Sequence, residues 1–149
     1  MPLSQRCLYA FRAVFELARH YGGGPVKAAT VAERQDIPAR FLEAILNQLK
    51  RGGFVESVRG RAGGYRLARP PAAIAVGEVL RFVEGPLLPV SCMEESSPPE
   101  CSLREECVFM PMWRQAHEAM MEVYDSTTFE DLVEEHRERM ETAVPSYSI

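Results

Sequence analysis

The 149-residue chain is 46% hydrophobic and 26% charged, the balance of an ordinary globular domain, and no run approaches the roughly 18–20 apolar residues of a membrane span. Its formal charge of −4 hides a division: residues 1–70 hold 12 Lys+Arg against 5 Asp+Glu, or +7, and residues 71–149 hold 5 against 16, or −11. A basic half beside an acidic one suggests a nucleic-acid surface on the basic side, with two solvated faces of one domain as the plainer reading. Met1 to Arg6 leads into an amphipathic segment without the apolar core and cleavage site of a signal peptide. A cytoplasmic location is therefore expected, where clustered cysteines more often bind metal or react than form structural disulfides.

Residues 4–21 read as a helix with Ser4 as N-cap and Phe11, Val14, Phe15, Ala18 and Tyr21 at helical spacing. Cys7 lies on or near that apolar face, either as a small buried hydrophobe or as a ligand. Gly22-Gly23-Gly24-Pro25 stops the helix. Ala28 to Gln35 and Ala39 to Arg51 form two more helical segments around the break Asp36-Ile37-Pro38. In the second, Phe41, Leu42, Ile45, Leu46 and Leu49 make the inner stripe, with Arg40, Glu43, Ala44, Asn47 and Arg51 opposite. This is a helix-turn-helix pattern whose outer face can read DNA. Arg40 suits guanine or phosphate, Glu43 a cytosine amino group, and Asn47 adenine.

Phe54 to Val58 alternates like a strand, Arg59-Gly60-Arg61-Ala62-Gly63-Gly64 turns, and Tyr65 to Ala68 returns. Arg59 and Arg61 at the tip can neutralise phosphates or enter a minor groove. Helices followed by a basic hairpin make a winged helix, and the glycine spacing is not that of a nucleotide-binding loop. Residues 76–84 read as a short helix ended by Gly85-Pro86.

Cys92, Cys101 and Cys107 follow, spaced C-x8-C-x5-C in a segment of Glu, Ser and Pro. So polar a stretch has little drive to order itself. A metal or iron–sulfur cluster bound by the thiols would order it, and a mobile loop with incidental cysteines is the competing reading. Pro111 then opens a helix to about Asp125 with Met112, Trp113, Ala116, Met120, Val123 and Tyr124 as its apolar stripe. No following element looks long enough to cover that stripe, so this helix is expected to form a homodimer interface. Thr127 with Glu130, or Thr128 with Asp131, would cap a last, mostly charged helix over 130–141, and Pro145–Ile149 is expected to fray.

The fold class expected is mostly α with a small β-hairpin wing. The divisions are a winged helix-turn-helix domain over 1–86, a cysteine-bearing loop over 87–110, and a dimerisation helix with an acidic C-terminal helix over 111–149. No Ser/His/Asp grouping appears, and His20, His117 and His136 are scattered among helices, so no enzyme is expected.

Leu3-Ser4, Ala32-Glu33-Arg34, Phe41-Leu42-Glu43, Val58-Arg59-Gly60 with Gly63-Gly64-Tyr65, Val83-Glu84-Gly85-Pro86 and Ser126-Thr127-Thr128 together resemble the IscR/NsrR-like family of bacterial winged-helix regulators. The resemblance spans nearly the whole chain. It implies a homodimeric regulator of duplex DNA whose loop cysteines, Cys92, Cys101 and Cys107, hold an iron–sulfur cluster, 2Fe-2S or 4Fe-4S. Such a cluster senses iron, nitric oxide, redox or cluster status. Glu43 and Arg59 match the family's base- and groove-reading positions. The first cysteine gap is longer than the family's usual five residues. Met110 stands where some members place a His ligand, and Leu8 where others place an acidic one. Cys7, a loop glutamate or a small molecule is left to complete the site. The alternatives are a thiol- or zinc-based regulator and an iron–sulfur carrier, the last of which needs no basic wing.

Overall fold

The computed structural model describes residues 2–95 and 101–143. The centre of the cysteine loop, 96–100, and the tail expected to fray, Pro145–Ile149, lie outside the described residues.

Helix α1 (Gln5–Arg19) is the axis of the core. Ser4 caps it by accepting the Cys7 N–H at 3.1 Å. Its buried face is Cys7, Ala10, Ala13, Val14, Leu17 and Ala18, while Phe11 and Phe15 are half-buried at the edge. Tyr21 does not join this face and is 50% exposed. The N–H groups of His20 and Tyr21 bond three residues back, to Leu17 and Ala18, so the last turn tightens and swings Tyr21 off the stripe.

Helices α2 (Ala28–Gln35) and α3 (Ala39–Arg51) pack on α1 as a helix-turn-helix pair. Between them Asp36 adopts the left-handed conformation (φ 49°) and Ile37 plugs the core. The Pro38 carbonyl accepts from Phe41 and Leu42 at 2.9 and 3.1 Å, starting α3. Leu42, Ile45, Leu46 and Leu49 are buried as the spacing predicts. Phe41, expected inside with them, is 45% exposed. It sits in the first turn of α3 at the stripe's edge, with the Tyr9 ring 6.3 Å away and the Arg40 guanidinium 4.6 Å over its face.

Strands β1 (Val55–Val58) and β2 (Gly64–Leu67) pair antiparallel, Val55 opposite Leu67 and Val58 opposite Gly64. Val26, just before α2, exchanges two 2.8 Å backbone bonds with Tyr65 and so joins the hairpin as a third, one-residue rung. Only glycine permits this, since a Cβ on Gly64 would strike the Val26 carbonyl oxygen.

Helix α4 (Val76–Glu84) follows, then α5 (Met110–Ser126) and α6 (Phe129–Ala143). The Thr128–Asp131 capping box forms: the Asp131 carboxylate accepts the Thr128 N–H at 2.7 Å and Thr128 Oγ1 accepts the Asp131 N–H at 3.1 Å. The acidic helix does not stand off in solvent. Phe129 is fully buried with Phe11 6.4 Å away, Leu132 and Val133 pack on the core, and His136 meets the Phe15 ring edge-on at 5.5 Å. A two-bond bridge ties the α5–α6 turn to the start of α4, Val76 N–H to the Thr127 carbonyl at 2.8 Å and Phe129 N–H to the Ile74 carbonyl at 3.0 Å. The result is mostly helical with a hairpin wing and a long C-terminal helix, the fold class read from the sequence. Among the described residues, no helix is long and apolar enough to cross a membrane.

Candidate nucleic-acid interface and cysteine loop

Burial of one stripe of α3 fixes what its other side offers. Arg40, Glu43, Ala44, Asn47 and Arg51 are all exposed along it. The wing is set beside α3 by continuity through Gly52–Phe54 and by Lys50, whose Nζ donates to Ser57 Oγ at 2.8 Å. Arg59 and Arg61 at the wing tip are exposed. One cation escaped the sequence reading: Lys27, the N-cap residue of α2, donates from Nζ to the Arg61 carbonyl at 2.8 Å. A basic residue just before the second helix was the available signal, and the Val26–Tyr65 bridge that brings it to the wing carries no mark in the sequence. Lys27, Arg59 and Arg61 gather positive charge where the wing meets α2, the arrangement that phosphate contacts require.

Behind this surface, α1 and α2 are locked by a buried carboxylate. Glu16 is fully buried. It accepts from Arg34 at 3.1 Å, Gln35 at 2.8 Å and Arg19 at 3.0 Å. Burial pushes its carboxyl up, but the hydrogen bonds from Gln35 and Arg34 and the Arg19 charge outweigh it, and the net shift is downward.

The four cysteines are free thiols. Cys92 lies half-buried in a short 3-10 turn, Ser91–Met93. Cys101 is exposed. Cys107 is half-buried at the mouth of α5, its carbonyl accepting the Met110 N–H at 3.4 Å. Cys7 belongs to the core: burial, with the Glu84 charge second, pushes its thiol up to about 12, against the thiolate form that binds metals. Among the described residues no three His, Cys, Asp or Glu side chains stand together as a metal-holding group. The donor chemistry nevertheless suits one. Of the three loop thiols, Cys92 lines a cavity of about 600 Å³, and His117 shares its wall. His117 Nδ1 is closed to solvent and finds no hydrogen-bond partner among the described residues. The sequence reading set His117 aside, because nothing in its helical neighbours marks the face it takes.

Helix α5 presents two apolar faces instead of one. Trp113, Met120 and Tyr124 are half-buried and turn back toward Leu3, Leu87 and Pro89 of the same chain. Met112, Ala116, Ala119 and Val123 are exposed and follow each other at steps of four, three and four, a coiled-coil spacing with small residues at its centre.

A helix-turn-helix carrying a basic wing on an α-helical body defines the class, a winged-helix DNA-binding regulator. Residues 3–135 match the family described as Rrf2, iron-dependent transcriptional regulator. The chain belongs to the Rrf2 family, and so is a transcriptional regulator and not an enzyme. It is 35% identical over 132 residues to the regulator CymR of Bacillus subtilis, covering 89% of each chain. It is 34% identical over 133 residues to IscR of Erwinia tasmaniensis, covering 89% of this chain and 79% of that one. The structure of CymR (YrzC), the global cysteine regulator of B. subtilis, matches with a TM-score of 0.76 at 31% identity over 90% of this chain and 97% of that one. T. potens IscR matches with a TM-score of 0.72 at 33% identity, over 93% and 90%.

Proposed function

We propose that this regulator binds two-fold symmetric duplex DNA as a homodimer, and that an iron–sulfur cluster held by Cys92, Cys101 and Cys107 controls its affinity. Arg40, Glu43 and Asn47 read base edges in the major groove, and Arg59 and Arg61 contact phosphates or the minor groove. The observation that carries the cluster reading is Cys107 at the mouth of α5 with Cys92 in the wall of the adjoining cavity. The family's description as iron-dependent and the IscR relatives support it. Three thiolates in a loop this acidic repel one another, and iron offsets that repulsion, so part of the binding energy goes into ordering the loop. Control then follows if the two cluster states stabilise the DNA-competent dimer unequally.

Anaerobic purification with iron, sulfide and zinc analysis tests this. Wild type should carry iron and visible absorption, and Cys92→Ala, Cys101→Ala and Cys107→Ala should each lose both. A relative described as a cysteine regulator favours a second reading, a thiol- or zinc-based switch. Colourless protein whose DNA affinity follows thiol oxidation or zinc would establish that reading in place of the first.

A further inference from the structure

Of the apolar stripe of α3, Leu42, Ile45, Leu46 and Leu49 are buried, while Phe41 is left 45% exposed. A ring standing half in water gains only part of its burial energy, so its place at the head of the helix needs another account. We infer that Phe41 is a positioning residue for DNA recognition, holding the Arg40 guanidinium ready for its acceptor; this rests on the reading of Arg40 as a DNA contact given above. The guanidinium lies over the Phe41 ring, 4.6 Å from its centroid, well inside the roughly 6 Å reach of a cation–π contact. Consecutive residues of a helix point about 100° apart and do not ordinarily face each other. Arg40 has to fold its stem across the helix surface to reach this ring, and the stack is one defined conformation among the many open to an exposed arginine.

The ring is itself braced. Tyr9 of α1 stands 6.3 Å from it, with the two planes tilted by 35°. The Arg12 guanidinium lies 6.0 Å from the Tyr9 centroid, and Arg12 donates to the Gln35 carbonyl at the end of α2 at 3.4 Å. The row Arg12, Tyr9, Phe41, Arg40 therefore runs from the packed α1–α2 contact out to the recognition face. A guanidinium that stacks uses its face and leaves its edge, with the N–H donors, for a phosphate or a guanine. Among the described residues no carboxylate pairs with Arg40, so those donors are uncommitted. An arginine fixed by a ligand loses rotamer freedom. One already held by a ring loses less, and the difference appears as affinity.

The test uses the full-length protein and the duplex that wild type selects from a random-sequence library, titrated at one salt concentration. Phe41→Leu keeps an apolar side chain and removes the π face, and should weaken binding about threefold to fivefold, the worth of an exposed cation–π contact. Phe41→Tyr keeps the face and should bind as wild type does. Arg40→Ala should weaken binding, and adding Phe41→Leu to it should weaken it no further, since the ring then has nothing to hold. In the free protein, NMR should find the Arg40 side-chain protons shifted upfield by the ring in wild type and in Phe41→Tyr. That shift should be gone in Phe41→Leu, a signature that a purely structural role would leave unmoved. Thermal melts check folding, and Phe41→Met replaces Phe41→Leu if the latter does not melt cooperatively. Phe41→Leu as tight as wild type, equal losses from it with and without Arg40, or an unshifted Arg40 in wild type overturns the inference and leaves Arg40 in the interface. Wild-type affinity in Arg40→Ala removes Arg40 from the interface and this inference with it.

Discussion

Arg59 and Glu43 do different work for a DNA reader, and single substitutions should separate them. Arg59→Ala removes a phosphate or groove contact, so binding should weaken on every sequence and the slope of log K against log salt should fall by about 1. Glu43→Ala should cost about 1–3 kcal/mol at one base pair only and relax the preference there. Gel-shift titrations at several salt concentrations would read both, and unchanged affinity of Arg59→Ala would remove the wing from the interface. Glu16 acts on stability. Glu16→Ala should cost about 2 kcal/mol, the scale of lost hydrogen bonds to a charged group. Its carboxyl lies below the ordinary 4.5 when folded. The stability it contributes is therefore fully present above about pH 4.5 and fades as pH falls through the lower folded value. The melting-temperature gap between wild type and Glu16→Ala should hold steady above that pH and close below it, as thermal melts would show. The role of Ser4 was legible because a cap is a local pattern. That of Glu16 was not, because its partners Arg34 and Gln35 come 18 and 19 residues later and only folding joins them.

Helices announce themselves through periodicity, and the bounds of α3 and α4 follow the spacing of apolar residues, with Phe41 off its stripe. Periodicity does not say which neighbour a face meets. The stripe of α5 read from sequence mixes residues that turn inward, Trp113, Met120 and Tyr124, with residues that stay open, Met112 and Val123. The open row with Ala116 and Ala119 is the better candidate for pairing with a second copy, because alanines allow close helix approach. Ala119→Glu should place like charges in that contact and cost about 3 kcal/mol, roughly a hundredfold in the dimer dissociation constant. Sedimentation equilibrium would measure it. A variant as dimeric as wild type would put the interface elsewhere.

For the molecule as a whole, the charge division between the halves was a poor guide to packing. A segment with this many glutamates reads as a solvated helix, yet Phe129, Leu132, Val133 and His136 fasten α6 to α1. One fully buried aromatic at the start of a charged helix is a weak signal in sequence and a strong one in space. The cysteine loop was not legible as geometry, since its polar residues carry no pattern that fixes where the thiols go. Removing the cluster by chelation should raise protease cleavage between Met93 and Glu106 and change DNA affinity, while the helical body stays resistant. Limited proteolysis followed by mass spectrometry would locate the cuts, and equal cleavage with and without iron would refute cluster-dependent ordering.

The meeting of α4 and α5 has a mechanical consequence. At Gly77 a Cβ would strike the Asp125 carboxylate, and Asp125 also pairs with Arg81 at 2.8 Å. With the Thr127–Val76 backbone bond, these contacts clamp the C-terminal end of α5. The 17-residue helix extends about 25 Å from that point to the cysteine loop. A tilt of a few degrees about Gly77 would displace the far end of α5 by an ångström or more. Gly77→Ala shifts that pivot without touching the thiols or the wing.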